Sequence, residues 1–218
     1  MSRMLNTALS RLGPGPLLTY YDPDSRIELS GVTFNNWVAK TANLLDDCAT
    51  GQRVCLGLAE TDPGHWVTLV WVAATWFSGR ELVVGVPDGA EFVVVNGDDA
   101  RCGETTVACS MHPLGRGLPA PRDGAIDYAD VLAQPDAALA PQPEPDDPAW
   151  GSRSHADLAV PGRRDRLAFV DPDFDWPTVA ALLLAPILGG GSSVVICGLN
   201  GHEIDRALTA EKATRWRA

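Results

Sequence analysis

The chain has 218 residues, 45% of them hydrophobic and 21% charged, which is the composition of a globular protein rather than a disordered one. Its net charge of −11 argues against a nucleic-acid backbone or an anionic membrane as partner, since both require clustered cations. Five scattered cysteines without a C-x-x-C exclude a disulfide framework or a zinc site and imply reduced thiols in the cytoplasm.

In chain order, the N-terminal segment to Gly13 has the spacing of a short amphipathic helix and no signal-peptide core follows it. Leu17–Tyr21 and Arg26–Ser30 predict a hairpin around Asp22-Pro23-Asp24, a turn-forming run. Thr33 is a candidate N-cap for a helix to about Asp46, with Phe34, Trp37, Val38, Thr41 and Leu44/Leu45 on one face. Arg53–Leu58 predicts a buried strand. Asp62-Pro63 opens a helix through Phe77, closed by Gly79. The apolar run from His65 to Phe77 is too short to span a bilayer. Leu82–Val86, Phe92–Val95 and Thr105–Ser110 are strand candidates of the kind parallel sheets bury.

From His112 to Pro148 the composition shifts to a run containing eight prolines. Only Ile126–Leu132 has a helical pattern there, and the rest is expected to be a semi-extended surface connection at about 112–148. Strand Arg166–Val170, a helix from Asp175 to Leu188, strand Ser192–Cys197 and a polar helix over Glu203–Ala213 complete the chain. This rhythm predicts a single α/β domain over 1–218: a three-layer α/β/α sandwich with a mainly parallel sheet and right-handed crossovers.

Three patterns imitate functional motifs. Gly189-Gly190-Gly191-Ser192-Ser193 joins a helix to a strand, whereas phosphate loops leave a strand and open a helix, so a helix C-cap is expected. Asp171-x-Asp173-x-Asp175 has Trp176 and Leu182 where a calcium loop needs Gly and Glu, so no metal site is expected. Ser154, His155 and Asp157 stand too close in sequence for a relay of nucleophile, base and orienting carboxylate, and a capping role is expected instead.

The run Leu17–Leu45, with Glu28-Leu29-Ser30, Thr33-Phe34, Trp37, Ala39 and Ala42-Asn43-Leu44, resembles the opening of the adenylate-forming enzymes, the superfamily of acyl-CoA synthetases. Ser154-His155-Ala156-Asp157-Leu158 resembles the "T-H-x-N-L" segment that follows that family's phosphate-gripping loop. Phe174-Asp175-Trp176-Pro177 resembles the "F-D-x-S" motif, whose aspartate pairs with a substrate ammonium. The resemblance implies the fold of the first part of the large N-terminal domain. It makes Asp175 and His155 the candidate ligand-binding residues.

The loop itself is missing. Trp150-Gly151-Ser152-Arg153 stands in its place, no Pro-Lys-Gly occurs, and Asp146-Asp147 would repel phosphate. The two lysines, Lys40 and Lys212, fit no catalytic role. The expectation is a non-catalytic, bacterial, cytoplasmic pseudoenzyme with no catalytic residue and no cofactor. It would bind an unknown small molecule or protein; the alternative is an acyl- or aminoacyl-adenylating enzyme completed by a partner. Surfaces that full-length relatives cover, and tryptophans such as Trp66, Trp71 and Trp76, predict a two-fold homodimer.

Overall fold

In a computed structural model, which describes residues 3–139 and 143–217, the strands divide over two sheets that share one layer of helices. The first two residues and part of the proline-rich run, at 140–142, lie outside the described residues. After α1 (Arg3–Ser10), strands β1 (Pro16–Tyr21) and β2 (Arg26–Ser30) form the expected antiparallel hairpin. Helix α2 (Gly31–Cys48) follows at once. Its cap is Ser30 rather than Thr33: the Ser30 hydroxyl accepts the Thr33 N–H at 3.0 Å, so the helix starts a turn earlier than its apolar periodicity suggests.

Strand β3 (Arg53–Leu56) is shorter than expected, because Gly57 turns the chain into a single helical turn, α3 (Leu58–Thr61). Helix α4 spans Trp66–Phe77, and its cap is His65, not the Asp62-Pro63 pair. Every residue of α4 is buried, which is what a helix enclosed on all sides requires. Trp66, Trp71 and Trp76, expected to help form an interface, are instead core residues at 1%, 0% and 1% exposure. β4 (Glu81–Val84), β5 (Phe92–Asn96) and β6 (Thr105–Cys109) add in parallel fashion, followed by β7 (Ile126–Asp127), a 3-10 turn over Tyr128–Ala133, β8 (Pro148–Trp150) and β9 (Arg153–Ser154).

One sheet has the order β7-β6-β5-β3-β4-β8-β9 and is parallel apart from the β8–β9 hairpin. The other has the order β12-β10-β11-β1-β2, with β10 (Arg166–Val170), β11 (Ser192–Ile196) and β12 (Thr214–Arg215). In it β1 lies parallel to β11, Leu18 beside Ser193 and Tyr21 beside Ile196. Helix α2 packs on β1, β2 and α4, while α4 packs on β3 and β4, so one apolar core runs through both sheets. Helix α7 (Gly201–Glu211) covers the other face of the second sheet through Ala207, against Ala168, Val194 and Ile196. The class is thus α/β with mainly parallel strands and helices to both sides. Where the pattern suggests one sheet, there are two.

The helix expected from Asp175 to Leu188 is broken into α5 (Trp176–Val179), a π-helical stretch (Ala180–Leu184) and α6 (Ala185–Gly189). Pro186 supplies the reason. It has no N–H to donate to the carbonyls four and five residues before it, those of Leu182 and Ala181. Both are satisfied from outside the helix: the Ser193 hydroxyl donates to Leu182 at 2.6 Å and Arg163 Nε to Ala181 at 3.1 Å. Burial lowers the Arg163 pKa to about 10.

In the proline-rich segment, the stretch from Leu132 to Ala137 is fastened to α2. Lys40 Nζ donates to the carbonyls of Leu132 and Gln134 and pairs with Asp136. Asn43 Nδ2 donates to Pro135 and Ala137 at 3.1 and 3.0 Å, and Gln134 reaches Asp47 at 2.9 Å. Ile126–Leu132 is short strand and 3-10 turn rather than α-helix, with Val131 fully buried and the Tyr128 hydroxyl 2.7 Å from that of Thr41.

Candidate functional site

The two stretches that sequence reasoning singles out, Trp150–Leu158 and Phe174–Pro177, meet in space. Trp150 ends β8 and faces Arg153 across a turn of only two residues, Gly151 and Ser152. Gly151 takes a φ of 59°, a left-handed conformation that a two-residue hairpin favours and glycine adopts freely. The Trp150 ring lies 5.3 Å from Phe174 and 5.9 Å from Trp176 between centroids, and buried Trp76 closes the cluster beneath, 6.3 Å from Trp150. Trp76 Nε1 donates to the Ala149 carbonyl at 3.1 Å, which fixes the hairpin onto α4. The Arg153 guanidinium sits 4.3 Å from the Trp176 ring centroid.

Asp175 is the N-cap of α5. Its Oδ1 accepts the Thr178 N–H at 2.9 Å, and Pro177 occupies the first turn. The residue is exposed, and it lines neither the cavity beside α7 nor the one beside α1 described below. His155 is 2% exposed, its Nε2 has no hydrogen-bond partner among the described residues, and burial holds its pKa below the ordinary histidine range. Ser154 and Asp157 form a local cap: Asp157 Oδ2 accepts the Ser154 N–H at 2.8 Å and its hydroxyl at 3.1 Å.

The glycine run serves packing. Gly190 caps α6 with φ 80°, and a side chain on Gly189 or Gly191 would strike the Arg163 backbone. Asp171 and Asp175 are occupied as well, Asp171 Oδ1 accepting the Gly198 N–H at 2.8 Å. No cluster of three or more His, Cys, Asp or Glu among the described residues is arranged to hold a metal.

A second polar group, which the sequence did not single out, lies beyond the carboxyl ends of β1, β5 and β11. The His65 ring packs edge-on to Tyr20 at 4.8 Å, and its Nδ1 accepts the Val67 N–H at 3.2 Å. Burial drives the His65 pKa down to about 4, and nearby Asp62 opposes this only in part. Asp62 accepts from Asn96 at 3.0 Å. The Cys197 thiol, pushed up to about 12 chiefly by burial, is inert as a nucleophile at neutral pH. The signal available in sequence was weak, because these residues are spread from position 20 to 197.

Two cavities lie elsewhere among the described residues. One of about 410 Å³ lies between the β1–β2 turn and α7, lined by Asp22, Arg26, Glu203 and Arg206 among others. One of about 500 Å³ lies between the ends of α1 and α6, against Leu12, Ile187 and Leu188.

The fold is that of the N-terminal part of the adenylate-forming acyl-CoA synthetases. It superposes on an acyl-CoA synthetase of Brucella canis with a TM-score of 0.69, at 14% identity, covering 97% of this chain and 46% of that one. The anthranilate CoA ligase AuaEII, in complex with anthranoyl-AMP, gives 0.68 at 17% identity, covering 99% and 49%. MatB from Rhodopseudomonas palustris, without ligand, gives 0.65 at 15%, covering 96% and 47%. The chain thus spans just under half the length of these solved enzymes. In sequence it is 32% identical over 229 aligned positions to a TIGR03089 family protein of Mycobacterium tuberculosis, covering 92% of this chain and 90% of that one. The chain belongs to the TIGR03089 family. No model of a known protein family matches it.

Proposed function

We propose that this protein is a non-catalytic relative of the adenylating ligases, a binding module for a small molecule or a partner protein. The supporting observation is the β8–β9 hairpin. Its two-residue turn stands where the resemblance places a phosphate-gripping loop, and two exposed main-chain positions cannot surround a triphosphate. The hairpin is held shut by the Trp76–Trp150–Trp176 cluster, and exposed Glu144 and Asp146 precede it, so the local charge also opposes an anion. Lys40, one of two lysines in the chain, is committed to the segment from Leu132 to Asp136 and is not free to neutralise phosphate.

Five free cysteines fit a reducing compartment, the cytoplasm. No helix among the described residues is long and apolar enough to cross a membrane. Self-association as a two-fold dimer belongs to the same proposal.

Calorimetry with millimolar ATP and magnesium tests the reading, and no saturable heat is expected. A dissociation constant below about 100 μM, some 5.5 kcal/mol, would overturn it. Pyrophosphate release with an acyl or aminoacyl substrate and a partner protein present would establish the alternative, an adenylating enzyme completed in trans.

A further inference from the structure

The Arg153 guanidinium has Asp157 within electrostatic reach and yet rests on a ring. Asp146, Asp157, Asp173 and Asp175 are all exposed on the segments that build the aromatic cluster, and no ion pair among the described residues includes Arg153. Its guanidinium instead lies over Trp176. Trp150, Phe174 and Trp176 are half-buried, so the cluster is not sealed from solvent. A cation at an aromatic face, an apolar wall beside it and exposed carboxylates on the same segments are the elements of a guanidinium receptor.

We propose that this face docks an arginine-bearing, basic segment of a partner protein, whose guanidinium takes the place of Arg153 on Trp176. Charge complementarity selects the occupant. The chain carries a net charge of −11, the segments that build the patch bear four exposed aspartates, and an acidic partner would be repelled. The centre of the patch is made of the residue types that anchor interfaces, Trp and Phe, desolvated from below by Trp76. Arginine is favoured over lysine because its planar guanidinium stacks on a ring, whereas an ammonium keeps its water. Arg153 is then a built-in competitor, and moving it aside is part of binding. This inference rests on the proposed function, because a nucleotide-gripping loop would occupy the same surface.

Calorimetric titration of the whole protein with acetylated, amidated tetra-arginine and tetra-lysine tests it. Saturable binding of tetra-arginine, tighter than that of tetra-lysine, is expected, and the preference should persist at physiological salt, where rim charges are screened. Arg153→Ala should tighten tetra-arginine binding about threefold, the size of one exposed cation–π contact. Trp176→Ala in that background should abolish the preference over tetra-lysine. If the alanine variant fails to fold, Trp176→Phe, whose ring attracts a cation more weakly, should narrow the preference, and an unchanged preference would overturn the inference. Equal binding of the two peptides, or an Arg153→Ala variant that binds tetra-arginine no better, would overturn the inference. ATP titrated in parallel separates the two proposals. Saturable ATP binding defeats the proposed function, whereas silence from both ATP and peptide defeats the docking face alone.

Discussion

His65 is the residue whose surroundings have the clearest consequence for stability. Its folded pKa, about 4, lies below the ordinary value of 6.5, so the unfolded chain binds the extra proton between those limits. The fold therefore keeps its full stability above about pH 6.5 and loses it progressively as pH falls toward 4. Between pH 7 and pH 5 this single group should cost about 2 kcal/mol. Urea titrations at the two pH values check this: His65→Asn, which can still cap α4, should lose that part of the decline, and an equal decline in both proteins would disprove the assignment. Asp175 is the other informative residue. Removing its cap in Asp175→Ala should destabilise by about 1 kcal/mol, while Asp175→Asn should be nearly neutral in thermal melts. A loss in the asparagine variant as large as in the alanine one would mean that the charge, rather than the cap, matters.

The broken helix from Trp176 to Gly189 yields a sharper element-scale prediction. Ser193→Ala would leave the Leu182 carbonyl, in a buried place, without its only outside donor. A loss of about 1–3 kcal/mol is expected, the cost of an unpaired buried polar group, measured by chemical denaturation. The segment from Leu132 to Ala137 predicts a kinetic effect. Lys40→Met should change global stability little, since its ion-pair partner Asp136 is 64% exposed. Limited proteolysis should nonetheless cut the segment faster, because two main-chain bonds are lost along with the charge pair. At this scale much was legible in the sequence. The hairpin around Asp22-Pro23-Asp24, strands β5, β6, β10 and β11, and the last helix follow from turn chemistry and β-branched runs. The capping residues Ser30 and His65 were missed because periodicity marks where a face is buried, not where the backbone first coils. The π-helical stretch was missed because Pro186 breaks a ladder whose repair comes from Arg163 and Ser193, outside the helix. The division into two sheets depends on which strands become neighbours, and β-branched runs carry no such information. Of the site, Asp175 and the Ser154–Leu158 stretch were visible one by one. Their union through Trp150, Arg153, Phe174 and Trp176 is a tertiary fact.

For the molecule as a whole, edges and surface decide association. β7, β9 and β12 are two-residue edge strands, too short to template pairing, whereas β2 presents five residues at the end of its sheet. The large hydrophobic residues most exposed among those described, Val32, Val84, Leu114, Leu132 and Leu139, are scattered in sequence. A dimer would accordingly form through β2 rather than through a tryptophan face. Light scattering at micromolar concentration should give twice the chain mass of 23.2 kDa; a value near 23.2 kDa itself would refute the dimer. The pairing of β1 with β11 has a consequence for synthesis on the ribosome. Leu18 must wait for Ser193. At 5–20 residues per second the gap is roughly 9–35 s, during which the strands from Arg53 to Cys109 can already assemble. The first hairpin emerges early and is completed late. Throughout that interval its apolar residues Leu17, Leu18 and Tyr20 are a nascent-chain liability that a chaperone, or slow pairing with β2 alone, must shield.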